Sequence, residues 1–267
     1  MASKNPPRSR RVRCYTAWDL WSRRISTGFD LLQQGLWLGL LDDRHFDELG
    51  PLQYARWAKY SDERYNLSGL QPWEERALST YFRSGSSLLV AAAGGGREPV
   101  ALARLGYRVD GFDCTPQLVE GYRRLMAREQ LPGNVYLAEA GTVPDEVDPR
   151  YDGLLVGWGG YMHIPGRKSR VDFLRSLRRR VEVGTPLLLS FFCRGERSQR
   201  HAWIYALARS IRRLRRSPDP VEPGDALAGT FDHWFTEPEI RAELAEGGFA
   251  LIEYREVPYG HAVGRAV

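Results

Sequence analysis

The sequence predicts an α/β protein in which a mainly parallel sheet follows a helical N-terminal region. Three observations predict it. From Ser86 onward, short apolar runs alternate with helix-like stretches, the pattern of successive βαβ units. Ser87–Ala93 is a continuous apolar run, as a strand buried on both faces requires, and Gly94-Gly95-Gly96 ends it. The last two apolar runs are joined by only Pro258-Tyr259-Gly260, so they pair as an antiparallel hairpin.

The first element is a helix. Val12–Leu41 lacks proline and places Trp18, Trp21, Ile25, Phe29 and Leu32 at helical intervals. Gly50-Pro51 and Gln71-Pro72 punctuate the stretch after it, and Pro72 opens a helix at the position where a missing N–H costs little. Aromatic residues crowd this whole region, from Trp18 to Trp73. After the first strand, Pro99–Leu105 reads as a helix stopped by Gly106, and Tyr107–Asp113 as the second strand. Thr115 and Pro116 start a helix that runs to Glu129. Asn134–Ala138, Tyr151–Trp158 and Pro186–Phe192 are further strands, with a helix over Arg167–Arg180. Glu237–Glu246 is a helix, and Phe249–Val257 and His261–Val267 make the closing hairpin. The expected organisation is a basic flexible arm over 1–14, a helical cap over 15–83, and a sheet domain over 84–267 with a lid insertion around 194–235.

Composition sets the outer bounds. A chain of 267 residues with 43% hydrophobic and 27% charged residues suits one sizeable soluble domain with an appendage. No apolar run is long enough to span a membrane, and no signal-type segment follows the basic N-terminus. The 3 cysteines, Cys14, Cys114 and Cys193, are far apart, which argues against a disulfide framework and against a zinc site, so no metal is expected. A reducing cytoplasm fits this usage. The net charge of +5 is carried mostly by arginine, at the N-terminus, at Arg175–Arg180 and between Arg194 and Arg216. That excess is too modest to imply nucleic acid as the partner.

The glycine loop carries the chemistry. Gly94 and Gly96 let the backbone approach a ligand closely and adopt positive φ. Because a strand ends there, the loop borders a crevice at the carboxyl edge of the sheet. Asp113 ends the neighbouring strand, where a carboxylate can accept hydrogen bonds from both hydroxyls of a ribose. A dinucleotide fingerprint would need a third small residue where Pro99 stands, and no Gly-Lys-Ser/Thr comes after the glycines to make a P-loop.

The segment Leu88-Leu89-Val90-Ala91-Ala92-Ala93-Gly94-Gly95-Gly96-Arg97-Glu98, followed by Gly106-Tyr107-Arg108-Val109-Asp110-Gly111-Phe112-Asp113, resembles motifs I and II of class I S-adenosylmethionine-dependent methyltransferases. Tyr151–Val156 is similar to the family's fourth strand, and Gly247-Gly248-Phe249 to the approach to its penultimate strand. The resemblance covers 84–267. It implies a Rossmann-like sheet with a terminal antiparallel hairpin, S-adenosyl-L-methionine as cofactor and S-adenosyl-L-homocysteine as product. It further implies cofactor binding by Gly94, Gly95 and Gly96, by Asp113 at the ribose with Cys114 beside it, and by Glu139 and Ala140 at the adenine. Gly157 and Trp158 would complete the site at the fourth strand's end. Arg97 would meet the cofactor carboxylate or face water. Two positions depart from the family: Val90 stands where an acid usually holds the methionine amine, and Ala92 where the first glycine stands.

Methyl transfer asks for positioning and for exclusion of water, with a general base only where the acceptor must lose a proton. His163, just past the fourth strand, is the candidate base, with Tyr161 and His233 as further catalytic candidates. Asp232-His233 invites pairing as acid and base, although sequence neighbours rarely act together; an aromatic lid is the simpler account of Asp232–Phe235. The aromatic cap favours a small organic acceptor, whereas Arg209–Arg216 would favour an anionic metabolite or RNA. The expected partner is a small-molecule acceptor. An RNA-modifying enzyme of the same fold and a non-catalytic binding module are the alternatives.

Overall fold

The computed structural model describes residues 26–147, 150–195 and 198–267. The basic arm over 1–14 and the part of the first expected helix that carries Trp18 and Trp21 lie outside the described residues. Helix α1 covers 26–40. After it come α2 (Asp43–Arg56), the short α3 (Ala58–Ser61) and α4 (Glu63–Asn66), and α5 (Pro72–Tyr81). Then strands and helices alternate: β1 (Ser87–Ala91), α6 (Arg97–Arg104), β2 (Arg108–Asp113), α7 (Pro116–Arg128), β3 (Val135–Leu137), β4 (Gly153–Val156), α8 (Arg167–Arg178) and β5 (Pro186–Phe191). The remainder is α9 (Gln199–Arg215), β6 (Asp225–Leu227), β7 (Phe231–His233), α10 (Glu237–Glu246), β8 (Phe249–Arg255) and β9 (Gly260–Ala266).

A 7-stranded sheet has the order β3-β2-β1-β4-β5-β9-β8. β1 to β5 pair in parallel, and β9 runs antiparallel between β5 and β8, as the short closing linker predicts. The period-2 alternation of β1 sorts its side chains cleanly. Leu89 and Ala91 pack with Phe173, Leu174, Ile240 and Leu244 of α8 and α10. Leu88 and Val90 pack on the other face with Trp73, Val100, Tyr122 and Leu125 of α5, α6 and α7. β1 is therefore covered on both sides, and its carboxyl end is where the chain must open for a ligand.

Two expectations about the cap change. Gly50-Pro51 does not end a helix, because α2 runs through Pro51. Tertiary contacts hold both flanks of the proline: Phe46 stacks on Phe231 with centroids 4.9 Å apart, and the Tyr54 hydroxyl bonds His163. The helix loses one N–H donor without losing its path. The insertion, in turn, buttresses the cap from behind. Ile204 and Ala208 of α9 pack with Leu38, Phe46 and Phe231. Arg212 donates to the carbonyls of Leu38 and Leu41, and Arg215 to that of Gly39, so arginines neutralise the carboxyl end of α1.

A second buried charge cluster ties the insertion to the sheet domain. Arg170, fully buried, donates to Glu243 at 2.7 Å and to Glu222 at 2.6 Å. Glu222 also accepts the Arg167 N–H, and the Tyr161 hydroxyl donates to Glu243 at 2.6 Å. Removing the cation would leave carboxylates buried without compensation. Arg170→Ala is therefore expected to lower stability by about 3–5 kcal/mol, measured as a lower urea midpoint with an unchanged slope.

Candidate active site

A cavity of about 1060 Å³, counting the space open to solvent, lies along the carboxyl ends of the strands. Its floor is built by Ala92–Gly95 after β1, by Phe112–Thr115 at the end of β2, by Ala138–Thr142 after β3, and by Val156 and Trp158 at the end of β4. Its roof is the cap: Phe46, Asp47, Gly50, Pro51 and Tyr54 of α2, then Tyr60, Tyr65 and Asn66. Among the described residues, none from 194–235 lines it, so the covering role expected of the insertion belongs to α2–α4.

The glycines divide their work. A side chain at Gly94 (φ +53°) would meet nothing within 4 Å, so this position faces open cavity. A Cβ at Gly95 would lie 2.4 Å from the Asn66 side chain and 2.5 Å from the Tyr60 carbonyl; this glycine lets the cap come down onto the loop. Gly96 stands back from the cavity against Tyr122, and Gly157 against the Ala92 carbonyl, so neither lines the space expected of it. Ala92, where the family has glycine, keeps the glycine conformation with φ 50°. Its methyl group lies where a Cβ on Gly160 would be 2.4 Å away, so the bare Gly160 makes room for it.

Asp113 links β2 to the loop. One carboxylate oxygen accepts the Gly94 N–H and the other the Thr115 N–H, both at 2.8 Å. Burial raises its carboxyl above the usual range, against the opposing effect of the Thr115 and Gly94 bonds. Beside it, burial and the Asp113 charge push the Cys114 thiol up to about 12, so Cys114 lines the cavity as a neutral wall. Glu139 and Ala140 line the cavity after β3.

Arg97 lines the cavity but does not face water. It is 3% exposed, and its guanidinium donates twice to Glu74, at 2.8 and 2.6 Å, once to Glu98 at 2.6 Å and once to the Gly69 carbonyl at 3.0 Å. Burial alone would lower the pKa of Arg97, but the bonds to Glu74 and the charge of Glu98 hold it above its ordinary value. Glu98 also accepts the Trp158 N–H at 3.0 Å, which fixes it at the end of β4.

His163 is in the cavity, and its partners come from segments distant in sequence. Its Nδ1 lies 2.8 Å from the Phe231 carbonyl and 3.0 Å from an Asp232 oxygen. Both are acceptors, so Nδ1 carries the proton and Nε2 presents the lone pair. The Tyr54 hydroxyl lies 2.5 Å from Nε2 and lines the cavity. Burial raises the Tyr54 pKa well above its ordinary value, with the nearby Tyr60 and Asp232 adding to the shift. The other two catalytic expectations are corrected. Tyr161, 1% exposed, is bound to Glu243 of α10 and does not line the cavity. His233, 1% exposed, pairs with Asp225 at 2.6 Å on the opposite face of β7 from Asp232. Glu222, Asp225 and His233 lie close enough together to hold a metal ion, and Arg170 and the Arg167 N–H already bond to Glu222.

The sheet order is that of the class I S-adenosylmethionine-dependent methyltransferase fold. No family model matches the chain, and no curated protein matches its sequence. Solved structures do match. An S-adenosylmethionine-dependent methyltransferase from Methanosarcina mazei is 21% identical over 74% of this chain and 99% of its own, with a TM-score of 0.56. The 1,6-didemethyltoxoflavin-N1-methyltransferase of Burkholderia thailandensis, solved with 1,6-didemethyltoxoflavin and S-adenosylhomocysteine, is 16% identical over 85% of this chain and 91% of its own, with a TM-score of 0.59. The CcbJ methyltransferase from Streptomyces caelestis is 14% identical over 78% and 98%, with a TM-score of 0.55. At these identities the likeness is one of fold. Among the described residues, no helix is long and apolar enough to cross a membrane.

Because Ala92 carries a side chain in the left-handed region, Ala92→Gly is expected to raise stability by roughly 0.5–1 kcal/mol, the steric relief exceeding the entropy cost of glycine. Denaturant unfolding of the two proteins measures it.

Proposed function

We propose that the chain is an S-adenosylmethionine-dependent methyltransferase acting on a small, uncharged or cationic acceptor that gives up a proton. The observation that carries this reading is one cavity holding both a nucleoside-type cradle, Gly94 with Asp113, and a histidine whose Nδ1 is held by the Phe231 carbonyl beside Asp232. The cradle suits the donor: Gly94 faces open space, and the Asp113 carboxylate lines the cavity at the end of β2, where it can meet ribose hydroxyls. When bound, the donor supplies an electrophilic methyl group on a sulfonium. The chain's own residues bind, exclude water and move a proton.

The proton path runs through Tyr54 and His163. As an acceptor N–H or O–H loses its proton to the Tyr54 oxygen, Tyr54 passes its own to His163 Nε2, and the imidazolium that forms faces Asp232. The Phe231 carbonyl holds the Nδ1 proton, and Asp232, 3.0 Å from Nδ1, stabilises the charge, the role a carboxylate plays beside a histidine base.

The lining also speaks to the acceptor's charge. Asp47, Glu98, Asp113 and Glu139 line the cavity, whereas the one arginine among the lining residues, Arg97, is committed to Glu74 and Glu98. A phosphorylated or carboxylated acceptor would meet these four carboxylates, with Lys59, whose amine lies over the Tyr60, Tyr65 and Trp158 rings, as a cation beside them. The arginines at 209–216 lie outside the cavity, which weighs against the RNA reading. The aromatic rings of Phe46, Tyr54, Tyr60, Tyr65 and Trp158 suit a flat or amine-bearing molecule. The Burkholderia enzyme, which methylates N1 of its substrate, supports an acceptor nitrogen. Ala92, holding the glycine conformation, weighs against a non-catalytic module.

Calorimetry is expected to show S-adenosylmethionine and S-adenosylhomocysteine binding at roughly micromolar concentrations, with Asp113→Ala weakening both by about 10–100-fold. Failure of both ligands to bind would overturn the proposal. Against a panel of amines, nitrogen heterocycles, carboxylates and phosphates, turnover is expected among the first two groups only. His163→Ala and Asp232→Asn are each expected to lower kcat by about 10²–10⁴ with unchanged affinity for S-adenosylhomocysteine; full activity in either would remove the base from the mechanism.

A further inference from the structure

We propose that Glu98 holds the ammonium group of the donor's amino-acid end, in place of the strand acid that is absent at Val90. This rests on the methyl-donor reading above and concerns how this chain, which departs from the family's pattern, completes that end of the site.

Val90 is fully buried between β1 and the helices on its face, so its position offers nothing to the cavity. Glu98 comes from a different element, the first turn of α6, and is 6% exposed while lining the cavity. The Trp158 N–H holds one of its oxygens at the end of β4, on the opposite side of β1 from Asp113 at the end of β2. A ligand whose ribose lies on Asp113 and which extends across the loop therefore reaches Glu98 with its other end.

Charge balance gives the second reason. Arg97 meets two carboxylates, Glu74 through two hydrogen bonds and Glu98 through one. The three buried groups carry one surplus negative charge, an arrangement that is costly unless a cation completes it. The remaining oxygen of Glu98 accepts no hydrogen bond among the described residues, and Lys59, whose amine lies over the Tyr65 and Trp158 rings, forms no ion pair there. A ligand ammonium supplies the missing charge. Arg97 becomes a positioning residue: it holds Glu98 in place, and the Glu74 pair keeps it from neutralising Glu98 alone.

The test compares two ligands that share a nucleoside and a thioether but differ in the amino-acid end: S-adenosylhomocysteine, and 5′-methylthioadenosine, which lacks it. In Glu98→Gln, calorimetry is expected to show a roughly 10–100-fold loss of affinity for S-adenosylhomocysteine and less than about a twofold change for 5′-methylthioadenosine, since its contacts are untouched. Equal changes for both ligands, including no change, would overturn the assignment. If Glu98→Gln does not fold, Glu98→Asp, which keeps a charge for Arg97 but withdraws the carboxylate, carries the same comparison with the same criterion. Absence of binding by the unaltered protein would instead overturn the methyl-donor reading itself.

Discussion

The Arg97 guanidinium is the point at which the helical cap meets the sheet. Glu74 belongs to α5, Glu98 to the first turn of α6, and the Gly69 carbonyl to the chain between α4 and α5. Because these groups are buried, none can be moved without leaving a charge uncompensated, so the cluster sets the cap's position closely. The bare backbone of Gly95 then allows Tyr60 and Asn66 to rest directly on the loop. The roof of the cavity is therefore fixed by the same residues that form its floor, and its closed end is the end that carries surplus negative charge.

The His163 side of the cavity is held from the opposite direction. Asp232 and His233 alternate on β7, so one reaches His163 while the other is buried against Asp225. Asp225 accepts the backbone N–H of Glu222, and Glu222 is bound to Arg170 of α8. A run of buried charges thus connects the sheet domain to the hairpin that aims Asp232. The insertion acts through this support, and through the packing of α9 behind α1 and α2, without touching the cavity. Orientation of a histidine by a carboxylate from a remote segment is what a base at neutral pH requires.

Much of the fold was legible because its signals are local. The apolar run of β1, the glycine loop, Asp113 and the short closing hairpin each depend on neighbours in sequence, and the parallel sheet depends on their alternation. Pro51 misled because a proline's local cost was outweighed by Phe46 and Tyr54 on either side of it. Tyr161 and His163 are two residues apart on a 3-10 turn, Gly160–His163, so they lie on different faces, and Tyr161 meets Glu243 while His163 meets Tyr54. Strand alternation would have shown that Asp232 and His233 face apart; it would not have shown that Asp232 meets His163. The sequence leaves Arg97 to meet the cofactor carboxylate or to face water, because its partners, Glu74 and Glu98, come together only in the folded chain.

A crystal structure with S-adenosylhomocysteine bound tests the central claim most directly. The expected result has the ribose hydroxyls on Asp113, the amino group on Glu98, and the sulfur facing the space bounded by Tyr54 and His163. A ligand bound elsewhere, or one whose ribose avoids Asp113, would contradict it.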